Sequence, residues 1–131
     1  MTTDEALQKE ESLRVRASEL EDSKRKIYYA RLNKLLKDPD TYAVLNWIFL
    51  AGLHHFYLRN YLRGSINLFV FIIGLILLVN SYFLYGSIVI GVILVAELYE
   101  LFFSQSIVLE YNNKVSEQIL LELDDSIPIQ H

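Results

Sequence analysis

The sequence predicts an all-α membrane protein: an α-helical transmembrane hairpin, a short membrane helix before it, and a charged N-terminal cytoplasmic helix. Three observations carry this. Ser65 to Phe103 runs for 39 positions with only two formal charges, Glu97 and Glu100, both near its end. A helix crosses the hydrocarbon core in about 20 residues, so the run suits two spans and exceeds one. Residues 4–37 contain no Gly or Pro and are rich in Glu, Lys, Leu, Arg and Ala, which favours helix. Charge is also segregated: residues 1–40 hold nine bases and nine acids, residues 41–103 two of each, and residues 104–131 Lys114 against five acids. The net charge of −4 therefore sits in the C-terminal tail.

The first element is a helix over 4–37 within an N-terminal region of 1–40. Leu13, Leu20 and Ile27 recur every seven residues. Arg16 and Ser23 occupy the alternate positions, so the coiled-coil stripe is thin. From Ser23 to Lys37 there are six bases (Lys24, Arg25, Lys26, Arg31, Lys34, Lys37) and no acid. Interleaved with Ile27, Tyr28, Leu32 and Leu35, they suit an anionic lipid surface, at about 1 kcal/mol per cation. The adjacent apolar segment accounts for these charges without nucleic acid. By the positive-inside rule this side is cytoplasmic. Met1 to Glu5 lacks a basic region followed by an apolar one, so no secretory signal is expected and the membrane helices should direct insertion.

Asp38-Pro39-Asp40-Thr41 breaks the helix, since Pro cannot continue it and Asp or Thr can cap the next. Tyr42 to Leu58 is apolar but short, and contains Asn46, Gly52, His54 and His55. It suits a short span, a tilted half-helix or an interfacial element. Arg59 to Gly64 forms a polar link, then helices follow at about 65–80 and 84–103, turning near Asn80-Ser81-Tyr82 or Tyr85-Gly86. Val108, Tyr111, Val115, Ile119 and Leu123 repeat at helical spacing, which predicts an amphipathic helix in the tail. Asp124-Asp125-Ser126-Ile127-Pro128 reads as a frayed end. If only 65–103 spans, every basic residue lies on one side, which satisfies the charge rule. If 42–58 also spans, Arg59, Arg63 and the acidic tail face outward.

Gly52-Leu53-His54-His55-Phe56-Tyr57-Leu58-Arg59, followed by Gly64, resembles the signature of the TM-two domain family, Gly-x-His-Arg-Phe-Tyr-Leu-Gly with a further Gly five residues on. Gly52, His54, Phe56, Tyr57, Leu58 and Gly64 fall on matching positions. Glu100-Leu101-Phe102, then Ile107-Val108-Leu109-Glu110-Tyr111-Asn112, resembles the family's acidic-Leu-Phe ending and its Val-Arg-Glu-Tyr-Asn exit. The similarity covers roughly Thr41 to Asn113. The chain departs from the pattern at Phe49 and Leu50 (paired glycines in the family), His55 (Arg), Arg59 (Gly), Glu100 (Asp) and Gln105-Ser106 (Pro-Gly). The resemblance tips the balance toward three membrane helices, a membrane domain of 41–113 and an acidic tail of 114–131. It implies a multi-pass inner-membrane protein and no established chemical activity.

Glu97 and Glu100 lie three apart on one helix face. A carboxylate at membrane depth costs about 2.5 kcal/mol or more, so each needs a partner or water. Pairing with His54, His55, Arg59 or Arg63 is the leading expectation, with interfacial solvation and an ion path as rivals. His54 and His55 are adjacent, so on a helix they point about 100° apart and do not readily share an ion. No metal site or other cofactor is expected. Asn46 and Asn67 can bond across helices, and Ser87 with Gly91 forms a small-xxx-small pair. Trp47, Tyr57, Tyr61, Tyr82, Tyr85 and Tyr99 suit the ends of spans, where amphipathic rings settle. The chain has no cysteine, which excludes disulfides and thiolate metal sites. No nucleophile triad, phosphate-binding Gly loop or separated carboxylate pair outside the membrane marks an enzyme, and no small-molecule substrate is indicated.

The expected function is therefore non-enzymatic association with the bilayer, with further copies of the chain or with a larger membrane partner. Two other readings remain: an oligomeric ion or proton conduit lined by Glu97 and Glu100, and a peripheral sensor of anionic lipid through residues 23–37.

Overall fold

A computed structural model describes residues 3–48 and 52–125. Every regular element among them is helical: α1 Thr3–Ser18, α2 Asp22–Leu35, α3 Pro39–Ile48, α4 Leu53–Tyr57, α5 Tyr61–Val79, α6 Phe83–Phe102 and α7 Ser104–Asp125. They form two compact units, one of residues 1–38 with 105–131 and one of residues 39–104. Phe49 and Leu50, two departures from the family pattern, lie outside the described residues, as do Ser126 to Pro128 and His131, whereas Asp124 and Asp125, expected to be frayed, continue α7.

In the terminal unit the expected helix over 4–37 is two helices, interrupted at Glu19-Leu20-Glu21 without Gly or Pro. The side-chain pairings give the reason. Ala6, Lys9 and Arg16 of α1 meet Asn113, Glu117 and Asp124 of α7, so these helices run parallel. Lys24, Tyr28 and Lys37 meet Leu123, Ser116 and Asn112, so the second segment runs antiparallel to α7. A straight 34-residue helix would extend about 50 Å, whereas the 22 residues of α7 span about 33 Å. The chain folds back so that both segments cover α7. The break is supported locally by Ser18 donating to the Val15 carbonyl and by Arg25, which bonds both the Ser18 carbonyl and Asp22.

The resulting core is Leu13, Ala17, Tyr28, Val115, Ile119, Leu120 and Leu123, with Leu20, Leu32, Leu35 and Tyr111 packed against it. The stripe expected on α7 is thus the buried face. The heptad stripe of α1 is not continued: Leu13 is buried, but Ile27 is exposed and Tyr28 takes the inward position. The acidic tail is no separate element, because α7 begins at Ser104 and Glu117, Asp124 and Glu122 pair with Lys9, Arg16 and Arg31 of α1 and α2. Residues 105–113, assigned from sequence to the membrane domain, belong to this unit.

In the second unit, α5 and α6 form the hairpin. The expected segment 42–58 is not one helix but α3 and α4, and α4 starts at Gly52 in the left-handed region at φ +84°. Pro39 opens α3, where its missing N–H is harmless. Helix α5 starts earlier than expected, absorbing the polar link from Tyr61. It ends in a tight turn: Asn80 Nδ2 donates to the Ile76 carbonyl at 2.8 Å, and the Tyr82 amide donates to the Leu77 carbonyl at 3.0 Å. Ser81 occupies the left-handed position usual for glycine at a helix end. The hairpin therefore turns at Asn80-Ser81-Tyr82, and Gly86 lies inside α6.

Close packing of the hairpin rests on two glycines. A Cβ at Gly74 would lie 2.7 Å from Ile90 Cγ1, and one at Gly86 2.8 Å from Leu78 Cγ. Gly91 has open space instead and Ser87 is exposed, so the small-xxx-small pair plays no part in α5–α6 contact. Both helices are long and apolar enough to cross a membrane, and only 11% and 17% of their apolar windows are buried within the protein. The core helix of a soluble protein would instead be mostly covered. Phe69, Ile76, Val79, Leu84, Val92 and Val95 all point outward.

Candidate functional site

A set of polar side chains of the second unit converges at one end of the hairpin, with α3, α5 and α6 each contributing a pair at helical spacing and α4 two adjacent histidines. Tyr42 and Asn46 lie one turn apart on the inner face of α3 and are fully buried, while Val44 and Trp47 face out. Arg63 and Asn67 lie one turn apart on α5, and Glu97 and Glu100 on α6. His54 and His55 come from α4.

Two glycines bring α4 into place. A Cβ at Gly52 would stand 2.9 Å from Asn67 Cβ, so only glycine lets the start of α4 touch α5. A Cβ at Gly64 would stand 2.7 Å from the Phe56 ring, so that ring lies on bare α5 backbone. The end of α4 is fixed by main-chain bonds: the Arg59 amide donates to the Phe56 carbonyl and the Asn60 amide to the His55 carbonyl, each at 2.9 Å. This paired closure puts Arg59 in the left-handed region at φ +59°. Arg59 stands where the family pattern has glycine, and its expected pairing with a glutamate is replaced by this backbone role. Tyr57 and Leu58 are half-buried at the same turn.

His54 is fully buried and its Nε2 lies 3.1 Å from Oε2 of both Glu97 and Glu100. Glu100 also accepts from the Tyr42 hydroxyl at 3.0 Å and from Arg63 Nη2 at 2.9 Å, and its Oε2 lies 3.7 Å from His55 Nε2. Asn67 Nδ2 donates to Glu97 Oε1 at 2.8 Å and lies 3.0 Å from His55 Nε2. Asn46 Nδ2 donates to the Glu97 carbonyl at 3.0 Å. One imidazole N–H can aim at only one carboxylate. Glu97 Oε2 is close to His54 yet makes no hydrogen bond, and His54 Nδ1 is likewise without a partner. A buried carboxylate oxygen left in this way is costly.

Sequence reasoning located Glu97, Glu100, His54, His55, Arg63, Asn46 and Asn67, and missed Tyr42. Its signal was available in the i, i+4 spacing of Tyr42 and Asn46 on a short helix. The expected divergence of neighbouring imidazoles does not hold. The His54 and His55 ring centroids are 4.1 Å apart, and ligand atoms of His54, His55 and Glu100 all lie within 4.8 Å of one another.

The remaining predicted residues fall in the terminal unit. Asn112 clamps the main chain of Lys37, accepting from its amide and donating to its carbonyl, each at 2.9 Å. Tyr111 packs on the core and Glu110 accepts from Lys114 at 2.8 Å. That contact holds the Glu110 carboxyl below the usual range. Of the six bases, Lys24 donates to the Leu123 carbonyl at 2.7 Å and Arg31 to Glu122 at 2.9 Å, while Arg25 serves the α1–α2 break. Lys26 and Lys34 are exposed, and Lys37 is half-buried. Lys24, Arg25 and Arg31 are thus engaged inside the unit, and the six bases do not form one free face. A groove of about 640 Å³ runs between the helices of this unit, lined in part by Arg14, Tyr29, Leu32, Leu36, Leu109 and Asn112.

No family model, curated protein or solved structure matches the chain.

Proposed function

We propose that this chain is a non-enzymatic integral membrane protein of the TM-two domain type that acts by association, with itself or with a larger membrane partner. In this reading α5 and α6 span the bilayer, α3 and α4 cap one end of the hairpin without crossing, and both termini are cytoplasmic. The observation that carries it is the pairing of α1 and α2 with α7 in one unit. Helices that share a core stand on the same side of a membrane, so the number of spans between them is even. At 10 and 5 residues, α3 and α4 reach about 15 and 8 Å and are too short to cross. Two spans also leave Arg59, Arg63, Lys114 and all the N-terminal bases on one side, as the charge rule requires.

The family resemblance gains support from the meeting of its separated motif residues. Gly52, His54, Phe56, Gly64 and Glu100 all belong to one packing site. The conduit reading has less support. Its carboxylates sit at one end of a hairpin whose remaining length, Ser65 to Ala96, holds no charged residue. The lipid-sensor reading is weakened by the engagement of Lys24, Arg25 and Arg31 within the terminal unit.

Association is tested by photo-crosslinking in intact membranes. A reactive residue at Tyr29 or Leu36, in the terminal groove, should give an adduct at twice the 15.3 kDa chain mass or at one defined larger mass. Adducts no stronger than those from exposed Glu11 would contradict association through this surface.

A further inference from the structure

We propose that His54, His55, Glu100 and Glu97 form a binding site for one divalent transition-metal ion of the Zn²⁺ class. The argument starts from distances. Four ligands at about 2.0–2.2 Å from a zinc ion stand about 3.3 Å from one another when tetrahedral. Here Nε2 of His54 lies 3.1 Å from Oε2 of Glu97 and 3.1 Å from Oε2 of Glu100, and Nε2 of His55 lies 3.7 Å from the same Glu100 oxygen. These are edge lengths of a coordination polyhedron, and they are made by side chains from two helices, α4 and α6.

The second observation is the bare oxygen. Glu97 is 1% exposed, and its Oε2 is aimed at this cluster without a hydrogen bond. Two carboxylates face one imidazole nitrogen whose single proton serves only one of them. An ion between the four atoms would serve both. The opposite carboxylate oxygens are already held, Glu100 Oε1 by Arg63 and Glu97 Oε1 by Asn67, while Tyr42 donates to Glu100 Oε2. Held carboxylates of this kind orient their free edges, as outer partners do around metal sites. For His55 to join, Asn67 must release its nitrogen and keep its bond to Glu97. Two imidazoles with two carboxylates favour Zn²⁺, Co²⁺ or Fe²⁺ over Mg²⁺ and Ca²⁺, which prefer all-oxygen shells. Such an ion would cross-link α4 to the hairpin.

The test uses full-length protein in nanodiscs, without a polyhistidine tag and stripped by chelator, titrated with Co²⁺ and then Zn²⁺. One Co²⁺ per chain is expected, with visible bands of a low-coordinate site that Zn²⁺ abolishes and excess Mg²⁺ or Ca²⁺ does not. His131→Ala should leave the titration unchanged. His54→Gln, His55→Gln and Glu100→Gln should each weaken binding at least about tenfold. Because those variants touch a buried site, Arg63→Gln serves as the companion: it keeps all four ligands and should keep the bands. In the wild type, Zn²⁺ should also raise the thermal midpoint. Absence of Co²⁺ bands in the wild type, their loss in His131→Ala, or equal displacement by Ca²⁺ would overturn the site.

Discussion

At His54 one buried nitrogen faces two carboxylates, and the neighbouring residues are arranged around that fact. Groups sharing a network do not contribute independently, so His54→Gln and Glu100→Gln should be non-additive by about 0.5–3 kcal/mol in a double-mutant cycle of detergent stability. Simple addition would show that the 3.1 Å approach has no energetic content. Gly64 makes a second residue-level claim. Gly64→Ala should destabilise by about 1–3 kcal/mol through overlap with the Phe56 ring, and Phe56→Leu in the same chain should recover part of that loss. An equal loss in both backgrounds would place the cause elsewhere. Arg59 holds a left-handed backbone that glycine adopts without strain, so Arg59→Gly should be neutral or stabilising by up to about 1 kcal/mol in thermal unfolding. Most of this site was legible as i, i+3 and i, i+4 polar pairs in apolar segments. The convergence of two adjacent histidines was not, because it depends on a one-turn helix whose closure spacing rules do not describe.

Among the elements, the hairpin was read from hydropathy to within about one residue at every end except the start of α5, which absorbs the polar link, because long apolar runs have few other fates. Its glycines were not sorted by sequence: Gly74 and Gly86 lie against the partner helix and Gly91 does not. Gly74→Leu should therefore disrupt the α5–α6 pair, whereas Gly91→Leu should leave monomer stability within about 0.5 kcal/mol of wild type. The α1–α2 break was illegible for a different reason. Nothing local forbids a continuous helix, and the fold-back exists because both segments gain burial on α7. Leu120→Ala, deep in that core, should cost about 2–5 kcal/mol. The ion pairs around the core contribute less. Lys9 holds the Glu117 carboxyl below its usual range, chiefly by its hydrogen bond. A lowered value in the folded state stabilises above the free glutamate value of about 4.3, and this small contribution is lost as pH falls through the folded value. Amide exchange of α1 should accelerate below that pH in the wild type and show a weaker dependence in Glu117→Gln.

For the molecule as a whole, the sequence left two and three spans both open, with the family resemblance favouring three. That question turns on whether the N- and C-terminal segments meet, which no local pattern encodes. Their shared core of Leu13, Ala17 and Tyr28 with Val115, Ile119 and Leu120 favours two. The absence of cysteine makes the decisive measurement direct, since single introduced thiols have no background. Glu11→Cys in α1, Gln118→Cys in α7 and Ser81→Cys at the hairpin turn are each exposed positions. In sealed vesicles of known orientation, a membrane-impermeant maleimide should label positions 11 and 118 from the same side and position 81 from the other. Labelling of 11 and 118 from opposite sides would contradict the two-span account.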